Sequence, residues 1–265
     1  MDSQVVALIA VIILLVSTTL GSSLVFLFKK NFSKRVSSIV MGLASGIMLS
    51  VSIFGLLIPS MEDGALYYGD LDFLPVIIGF ILGCILLYLL DKIIPHLHNN
   101  DEMQEEGMHT DKFNKRTKFF FAVTMHNIPE GIAVGLAVAL ALSTKSEAHI
   151  MSALSLAIAI GIQNVPEGAA VSIPMLDDGN TKTKSFLYGF FSGLVEPIMA
   201  VITILIATIL PMEIMPWLLA FSAGAMIYVT VEELIPDIKS DDKYHFGMWA
   251  FIFGFLIMMA LELLL

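Results

Sequence analysis

The chain has 265 residues, of which 57% are hydrophobic and 14% are charged, and its formal net charge is −10. An average soluble domain has about 25% charged residues, so this composition excludes an ordinary soluble protein and indicates an integral membrane protein. The single cysteine excludes disulfides within the chain and a cysteine-based metal site, and the acidic balance argues against an anionic partner such as nucleic acid.

Apolar runs long enough to cross the hydrocarbon core of a bilayer recur along the chain. They predict eight transmembrane helices, called helices one to eight below, at about 5–28, 37–59, 73–94, 119–142, 149–175, 185–210, 215–236 and 246–265. The first run ends in Lys29-Lys30 with no small-residue cleavage site, which favours a retained helix over a signal peptide. We therefore expect an all-α integral membrane fold, with residues 1–265 forming a single transmembrane domain.

The basic residues predict how this domain is oriented. Of the 14 Lys and Arg residues, all but Lys145 fall in the loops that follow helices one, three, five and seven. Under the positive-inside rule those loops are cytoplasmic and both termini are extracytoplasmic, as expected for a multi-pass protein of the cell membrane. The longest connection, 95–117, is then a cytoplasmic loop, and the acidic 60–72 segment is an outer loop that suits a cation.

A polar six-residue motif is written twice within apolar runs. Residues 126–131 read HNIPEG in helix four, and residues 163–168 read QNVPEG in helix five, which runs in the opposite direction. A weaker repeat pairs 44–49 and Ile58-Pro59 of helix two with 222–227 and Ile235-Pro236 of helix seven, and chance similarity is an alternative for that pair. Inverted repeats around broken helices are typical of secondary transporters.

Three glutamates lie at one predicted depth, and each adjoins a proline. They are Glu130, Glu167 and Glu196, next to Pro129, Pro166 and Pro197. With a rise of 1.5 Å per residue, each lies roughly 15–18 Å from the cytoplasmic boundary, close to the midplane. Like charges at that depth repel and take up protons unless a cation lies between them. The prolines predict bent helices with freed backbone oxygens, although a structural kink beside a protonated glutamate is the alternative.

The side chains around these glutamates predict a metal site. His126 and Glu130 share one helix face, as do Gln163 and Glu167, because each pair is four residues apart. Imidazole, carboxylate and amide oxygen suit Zn²⁺, Fe²⁺ or Mn²⁺, and the absence of thiolate argues against Cu⁺. Met48 adds a soft contact to this set or packs in the core.

A second acidic group lies near the cytoplasmic end of helix seven. Glu232 and Glu233, together with His96 and His98 of the 95–117 loop, are candidates for an exit station for a released ion. A solvated helix end and ordinary loop histidines, including His109, are the alternative interpretation.

Glycines spaced four residues apart occur at 42 and 46, at 131 and 135, and at 189 and 193. This spacing permits close contact between helices or sliding along an interface. Tight packing is the simpler interpretation of the two.

The paired motifs resemble those of the Zrt/Irt-like (ZIP) family of divalent-metal transporters, in particular bacterial-type members with HNxPEG on helix four and QNxPEG on helix five. The resemblance covers essentially the whole chain. It implies one metal position formed by His126, Glu130, Gln163, Glu167 and Glu196, with Met48 beside it. It also implies an adjacent second position, in which Asn127 and Asn164 join the three glutamates in a binuclear site. Some relatives have Asp where this chain has Asn164, which lowers the charge of the second position.

The resemblance further implies a homodimer in the bilayer and an elevator-like movement, in which helices one, four, five and six carry the site past the others. We therefore expect a zinc transporter rather than an enzyme, one that moves metal into the cytoplasm by alternating access. The ligand set does not rank zinc against iron, manganese, cobalt or cadmium. An intramembrane metallohydrolase would need more midplane histidines than His126, and a proton-coupled carrier of an organic solute is the other alternative.

Overall fold

The computed structural model describes residues 2–27, 34–93, 96–97, 105–106, 115–177, 179–238 and 245–264. The α-helices in these residues are α1 Ser3–Ser23, α2 Lys34–Ser50, α3 Ile58–Tyr68, α4 Phe73–Ile93, α5 Lys115–Thr144, α6 Glu147–Asp177, α7 Lys182–Gly193, α8 Val195–Ala207, α9 Met215–Val229, α10 Ile235–Ile238 and α11 Phe246–Leu264. Two short strands, β1 His96–Leu97 and β2 Glu105–Glu106, pair antiparallel within the predicted 95–117 loop. His98 and His109 lie outside the described residues.

The helices confirm the prediction of an all-α membrane protein. Within the described ranges, seven segments are long and apolar enough to span a bilayer: Ser3–Phe26, Arg35–Leu71, Phe73–Leu90, Val123–Thr144, Glu147–Leu176, Lys182–Ala207 and Met212–Leu234. The last predicted span is also helical, but its apolar part, Phe246–Glu262, is shorter than the others. The count of eight spans therefore stays a prediction.

Helix two differs most from its prediction. After α2 the chain forms a π-helical segment, Val51–Leu57, and then continues directly into α3, which ends at Tyr68. The predicted outer loop at 60–72 is therefore wrong. Pro59 lies in the first turn of α3 and removes one backbone donor from this continuous helix. The wider π turn before it relieves the clash that a proline ring makes with the carbonyl four residues back. Most of the acidic segment is thus helical, and Asp63 is buried.

Helix seven repeats this arrangement. A π-helical segment, Thr230–Leu234, follows α9, and α10 begins with Ile235-Pro236, just as α3 begins with Ile58-Pro59. The packing repeats as well, because α1 lies on α6 as α5 lies on α8, and α2 lies on α11 as α4 lies on α9. Exchanging helix one with six, two with seven, three with eight and four with five interchanges these pairs. The weaker sequence repeat therefore has a structural counterpart.

These pairs form two groups of helices. We call α1 and α5 to α8 the site bundle, and α2 to α4 with α9 to α11 the flanking bundle. Helices within a bundle meet backbone to backbone at glycines: a Cβ added at Gly21 would lie 2.0 Å from the Val165 carbonyl oxygen, and one at Gly46 would lie 2.0 Å from that of Phe251. Among the described glycines, every site where an added Cβ would come within 3.0 Å of another helix has its neighbour in the same bundle.

Between the bundles the contacts are made by side chains. The polar ones pair His126 with Glu233, His149 with Asp63, Ser155 with Glu262, and Ser222 with the carbonyl of Pro129. An apolar cavity between α4, α5 and α9 interrupts the same boundary, with Leu87, Met125 and Phe221 in its lining. The boundary between the bundles is therefore less closely packed than their interiors.

Candidate metal centre

The three predicted glutamates come together inside the site bundle, although the prolines beside them act differently from one another. Helices α5 and α6 continue through Pro129 and Pro166, whereas the third helix is interrupted at Leu194, between α7 and α8. Gly193, four residues before Pro197, is the last residue of α7, which is where a proline removes a helical hydrogen bond. The helix is therefore interrupted beside the third proline, while the bends expected at Pro129 and Pro166 stay a prediction.

Amide side chains of α6 reach the acids of the neighbouring helices. Gln163 Nε2 donates a hydrogen bond to Glu130 Oε1, and Asn164 Nδ2 donates one to Glu196 Oε2. Glu130 and Glu196 are fully buried, and Gln163 and Asn164 are nearly so. Glu167 is partly exposed, although its Oε1 atom is buried. The two PEG motifs and the Glu-Pro of α8 thus form one connected polar group.

The glycine of each motif brings a neighbouring helix close to the site. A Cβ added at Gly131 would lie 2.4 Å from the carbonyl oxygen of Glu196 on α8, and one at Gly168 would lie 2.4 Å from the carbonyl oxygen of Thr18 on α1. Thr18 and Glu196 therefore occupy equivalent places in the repeat. They also meet each other, because the Thr18 hydroxyl donates to Glu196 Oε1 at 3.1 Å.

Several oxygen atoms of this group are buried without a hydrogen-bond partner in the described part of the chain. They are Glu130 Oε2, Glu167 Oε1, Gln163 Oε1, Asn127 Oδ1 and Asn164 Oδ1. An unpaired buried acceptor costs about 1–3 kcal/mol, more if it is charged, so a fold rarely gathers several without a ligand to satisfy them. Every one of these atoms offers a lone pair, and carboxylate and amide oxygens are ligands of hard and borderline cations.

The charges point to the same kind of ligand. Glu130, Glu167 and Glu196 act electrostatically on one another, and Glu167 also acts on His126 and Glu233. Within the described residues, however, no three His, Cys, Asp or Glu side chains converge closely enough to hold a metal by themselves. Each of the two fully buried acids is held by an amide instead, so the amide residues belong to any ligand set built here.

His126 contacts a residue that was not in its predicted ligand group. Its ring nitrogen Nε2 contacts Glu233 Oε1 of the flanking bundle, while Glu130, its predicted companion on α5, is bonded to Gln163. Glu233, predicted as an exit residue, is therefore adjacent to the site, whereas Glu232 is exposed. Met48 is buried in the apolar core, and His96 lies in β1.

Sequence reasoning missed two participants and gave a third, Glu233, a different role. Thr18 bonds to Glu196, the Ser192 carbonyl accepts a 3.0 Å hydrogen bond from Asn127 Nδ2, and Glu233 contacts His126. Thr18 did leave a signal, because Ser17-Thr18-Thr19 is a polar cluster in the middle of the first apolar run. The backbone carbonyl of Ser192 could not be identified from the sequence, because every residue has such a group.

Comparison with known proteins gives matches along nearly the whole chain. Residues 116–262 match the family described as ZIP Zinc transporter. "Zinc transporter ZIP11" of Xenopus tropicalis is 31% identical, covering 92% of this chain and 93% of its own length. "Zinc transporter GufA" of Myxococcus xanthus is 33% identical, covering 94% of this chain and 96% of its own length. "Zinc transporter ZupT" of Oceanobacillus iheyensis is 31% identical, covering 100% of this chain and 99% of its own length.

Proposed function

Because the chain belongs to the ZIP zinc transporter family, we propose that it carries Zn²⁺ across the membrane into the cytoplasm by alternating access of the site between the two PEG motifs. The observation that carries this proposal is the set of five buried, unpartnered oxygens next to mutually repelling glutamates. A divalent cation relieves both costs at once, because it neutralises the acids and accepts the lone pairs.

We propose two adjacent metal positions, as the family resemblance implies. We assign His126, Glu130, Gln163, Glu167 and Glu196 to the first, and Asn127 and Asn164 with the three glutamates to the second. The unpartnered amide oxygens of Gln163, Asn127 and Asn164 support this assignment. Met48 is left out of the ligand set because it packs in the apolar core. Iron, manganese, cobalt and cadmium suit the same donors, so their uptake is part of the proposal.

The movement that we propose is a displacement of the site bundle along the flanking bundle. Backbone contacts at glycines keep each bundle together, whereas side chains that can exchange partners separate them. All the proposed ligands lie on the site bundle, so they would move together with the ion. We favour transport over hydrolysis because a single histidine, His126, lies at the site, and a hydrolytic zinc is held by three protein ligands that leave a position for water.

The proposal is tested by uptake of radioactive Zn²⁺ into liposomes containing the purified protein. Glu167→Gln, which removes a charge at the site, should reduce uptake to the level of empty liposomes. The matched control is Glu147→Gln, an exposed glutamate at the start of the same helix, which should transport as the wild type does. Near wild-type uptake by both Glu167→Gln and Glu130→Gln would contradict the midplane site. Uptake of an organic solute instead of Zn²⁺ would contradict the substrate.

The orientation is tested by labelling in whole cells. In a Cys84→Ser background, a cysteine replacing the exposed Asp70 should react with an impermeant thiol reagent added outside, and one replacing the exposed Lys184 should not. The reverse pattern would overturn the inward direction and the extracytoplasmic termini. The proposed homodimer is checked separately by the mass of the protein in detergent.

A further inference from the structure

A histidine and an aspartate face each other across the boundary between the bundles, with the histidine about 27 Å along α6 from Glu167. His149 lies near the start of α6 in the site bundle, and Asp63 lies on α3 in the flanking bundle. The turn between α5 and α6 has only two residues, one of which, Lys145, adopts a left-handed conformation with φ of 53°. This tight turn holds His149 against the end of α5.

Hydrogen bonds at that turn favour one tautomer of His149. The hydroxyl oxygen of Thr144 lies 2.8 Å from the carbonyl of Leu140 and accepts from the backbone N–H of Ser146 at 3.3 Å. His149 Nδ1 lies 2.8 Å from the same oxygen. Donation from Nδ1–H to the hydroxyl, with the hydroxyl donating to Leu140, satisfies both contacts at once and leaves the lone pair of Nε2 free in a neutral His149.

That lone pair faces a carboxylate. His149 Nε2 is 3.8 Å from Asp63 Oδ1, which is too long for a hydrogen bond, and Asp63 Oδ2 is buried with no hydrogen-bond partner in the described residues. Bonds of about 2.0–2.2 Å put two ligands of one tetrahedral zinc ion roughly 3.3–3.6 Å apart, only slightly closer than these two atoms. A histidine whose second nitrogen donates to an oxygen is also the usual arrangement in metal sites.

We propose that Asp63 and His149 bind a divalent metal ion at the outer end of the boundary between the bundles, as a capture site that the ion occupies before it reaches the glutamates. The ligands are an Asp63 carboxylate oxygen and His149 Nε2, with water completing the shell and Thr144 orienting the imidazole. The His149 side chain is 27% exposed and that of Asp63 is 11% exposed, so the site is reachable from outside the protein.

Two protein ligands hold an ion less tightly than three or four do, which suits an ion that must be released onward. Because the ligands belong to different bundles, relative movement of the bundles would separate them and release the ion. The role in capture rests on the inward transport proposed above. The metal site itself rests on the geometry of Asp63, His149 and Thr144.

Metal binding is tested in a protein that lacks the glutamate site. In the Glu130→Ala, Glu167→Ala variant, calorimetric titration with Zn²⁺ should still detect a weak site. Adding Asp63→Asn or His149→Gln should weaken that residual binding by at least about tenfold, the usual loss when even an indirect partner of a metal ligand is removed. The matched control is Asp70→Asn, which removes the same charge from an exposed residue beyond the end of α3 and should leave binding unchanged.

Thr144 separates a metal site from a simple contact between bundles. Thr144→Val removes the hydroxyl that orients His149 and should weaken the residual binding, whereas Thr144→Ser keeps the hydroxyl and should restore it. An ion pair between Asp63 and a protonated His149 would instead give no residual Zn²⁺ binding that depends on these residues, and that result would overturn the proposal.

Transport kinetics distinguish failure of this proposal from failure of the transporter function. With the glutamate site intact, Asp63→Asn and His149→Gln should each raise the apparent KM for Zn²⁺ about tenfold and change the maximal rate less than twofold. A lower maximal rate with an unchanged KM would overturn the capture site while leaving the transporter proposal standing. Absence of wild-type Zn²⁺ uptake would refute transport, yet the binding titration would still test the site.

Discussion

The interiors of the two bundles and the boundary between them are held together by different means. Inside a bundle, glycines bring helix backbones into direct contact, as at Gly83, where an added Cβ would lie 2.0 Å from the Phe221 carbonyl oxygen. At the boundary, Gly55 shows the opposite case, because the three nearest atoms to an added Cβ all belong to side chains, the closest being Leu156 Cδ1 at 3.2 Å. Backbone contacts are rigid, whereas side chains can change rotamer and partner. We therefore expect the fold to behave as two stiff units joined by a more yielding interface.

The largest effect should come from joining the bundles covalently. In a Cys84→Ser background, cysteines replacing Ser155 and Glu262, whose side chains are hydrogen-bonded at 3.0 Å across the boundary, should stop Zn²⁺ uptake once a short thiol cross-linker bridges them. The matched control joins Ser38 and Ile238, which are in contact within the flanking bundle, and should transport after cross-linking. Uptake that survives complete cross-linking of the first pair would show that the bundles do not move.

A smaller effect is expected from adding one methyl group inside a bundle. Gly131→Ala puts a Cβ against the Glu196 carbonyl oxygen, where the backbone cannot give way, and should lower the free energy of unfolding by about 1–3 kcal/mol. Gly55→Ala adds the same methyl group at the boundary, where the Leu156 side chain can move aside. This substitution should change the free energy of unfolding by less than about 1 kcal/mol. Denaturation in mixed micelles measures both. Equal losses would remove the distinction between interior and boundary.

Acidity should weaken metal binding by the site bundle. The ligands bind metal as ionised glutamates and neutral His126, so protons compete with the ion and affinity should fall as pH is lowered. We expect at least about a tenfold loss between roughly pH 7 and 5, the range in which histidine and buried carboxyls titrate. Calorimetric Zn²⁺ titrations at several pH values measure this loss, and His126→Ala should remove part of the dependence. Affinity that stays flat over this range would mean that these groups are not ligands.

The smallest effect should come from shortening the loop that joins the two bundles. Residues 95–117 connect α4 of the flanking bundle to α5 of the site bundle and are too polar to span the membrane. Deleting Asn99 to Met108 should change the maximal Zn²⁺ flux less than tenfold, because the proposed ligands lie elsewhere. Calorimetry should show unchanged binding at the glutamate site. Loss of that binding would place the loop within the site.

The features that sequence predicted best are those fixed by local chemistry. Apolar length determined the helices, and a carboxylate beside a proline in an apolar run indicated the buried position of Glu130 and Glu196. The contact between His126 and Glu233 could not be predicted in this way, because it joins residues more than a hundred positions apart in two bundles. The end of helix two was also missed, since Pro59 suggests a stop and only the π turn before it allows the helix to continue.

The π-helical segment Thr230–Leu234 gives one turn of helix seven a residue more than an α turn has. Conversion of that turn to α geometry would shift the register of the residues on one side of it by one, a rotation of about 100°. Glu233 contacts His126, and its neighbours in the chain are the exposed Glu232 and the apolar Leu234. A slip in one direction would bring Glu232 towards the imidazole and a slip in the other would bring Leu234, so the π turn sets whether His126 faces a carboxylate.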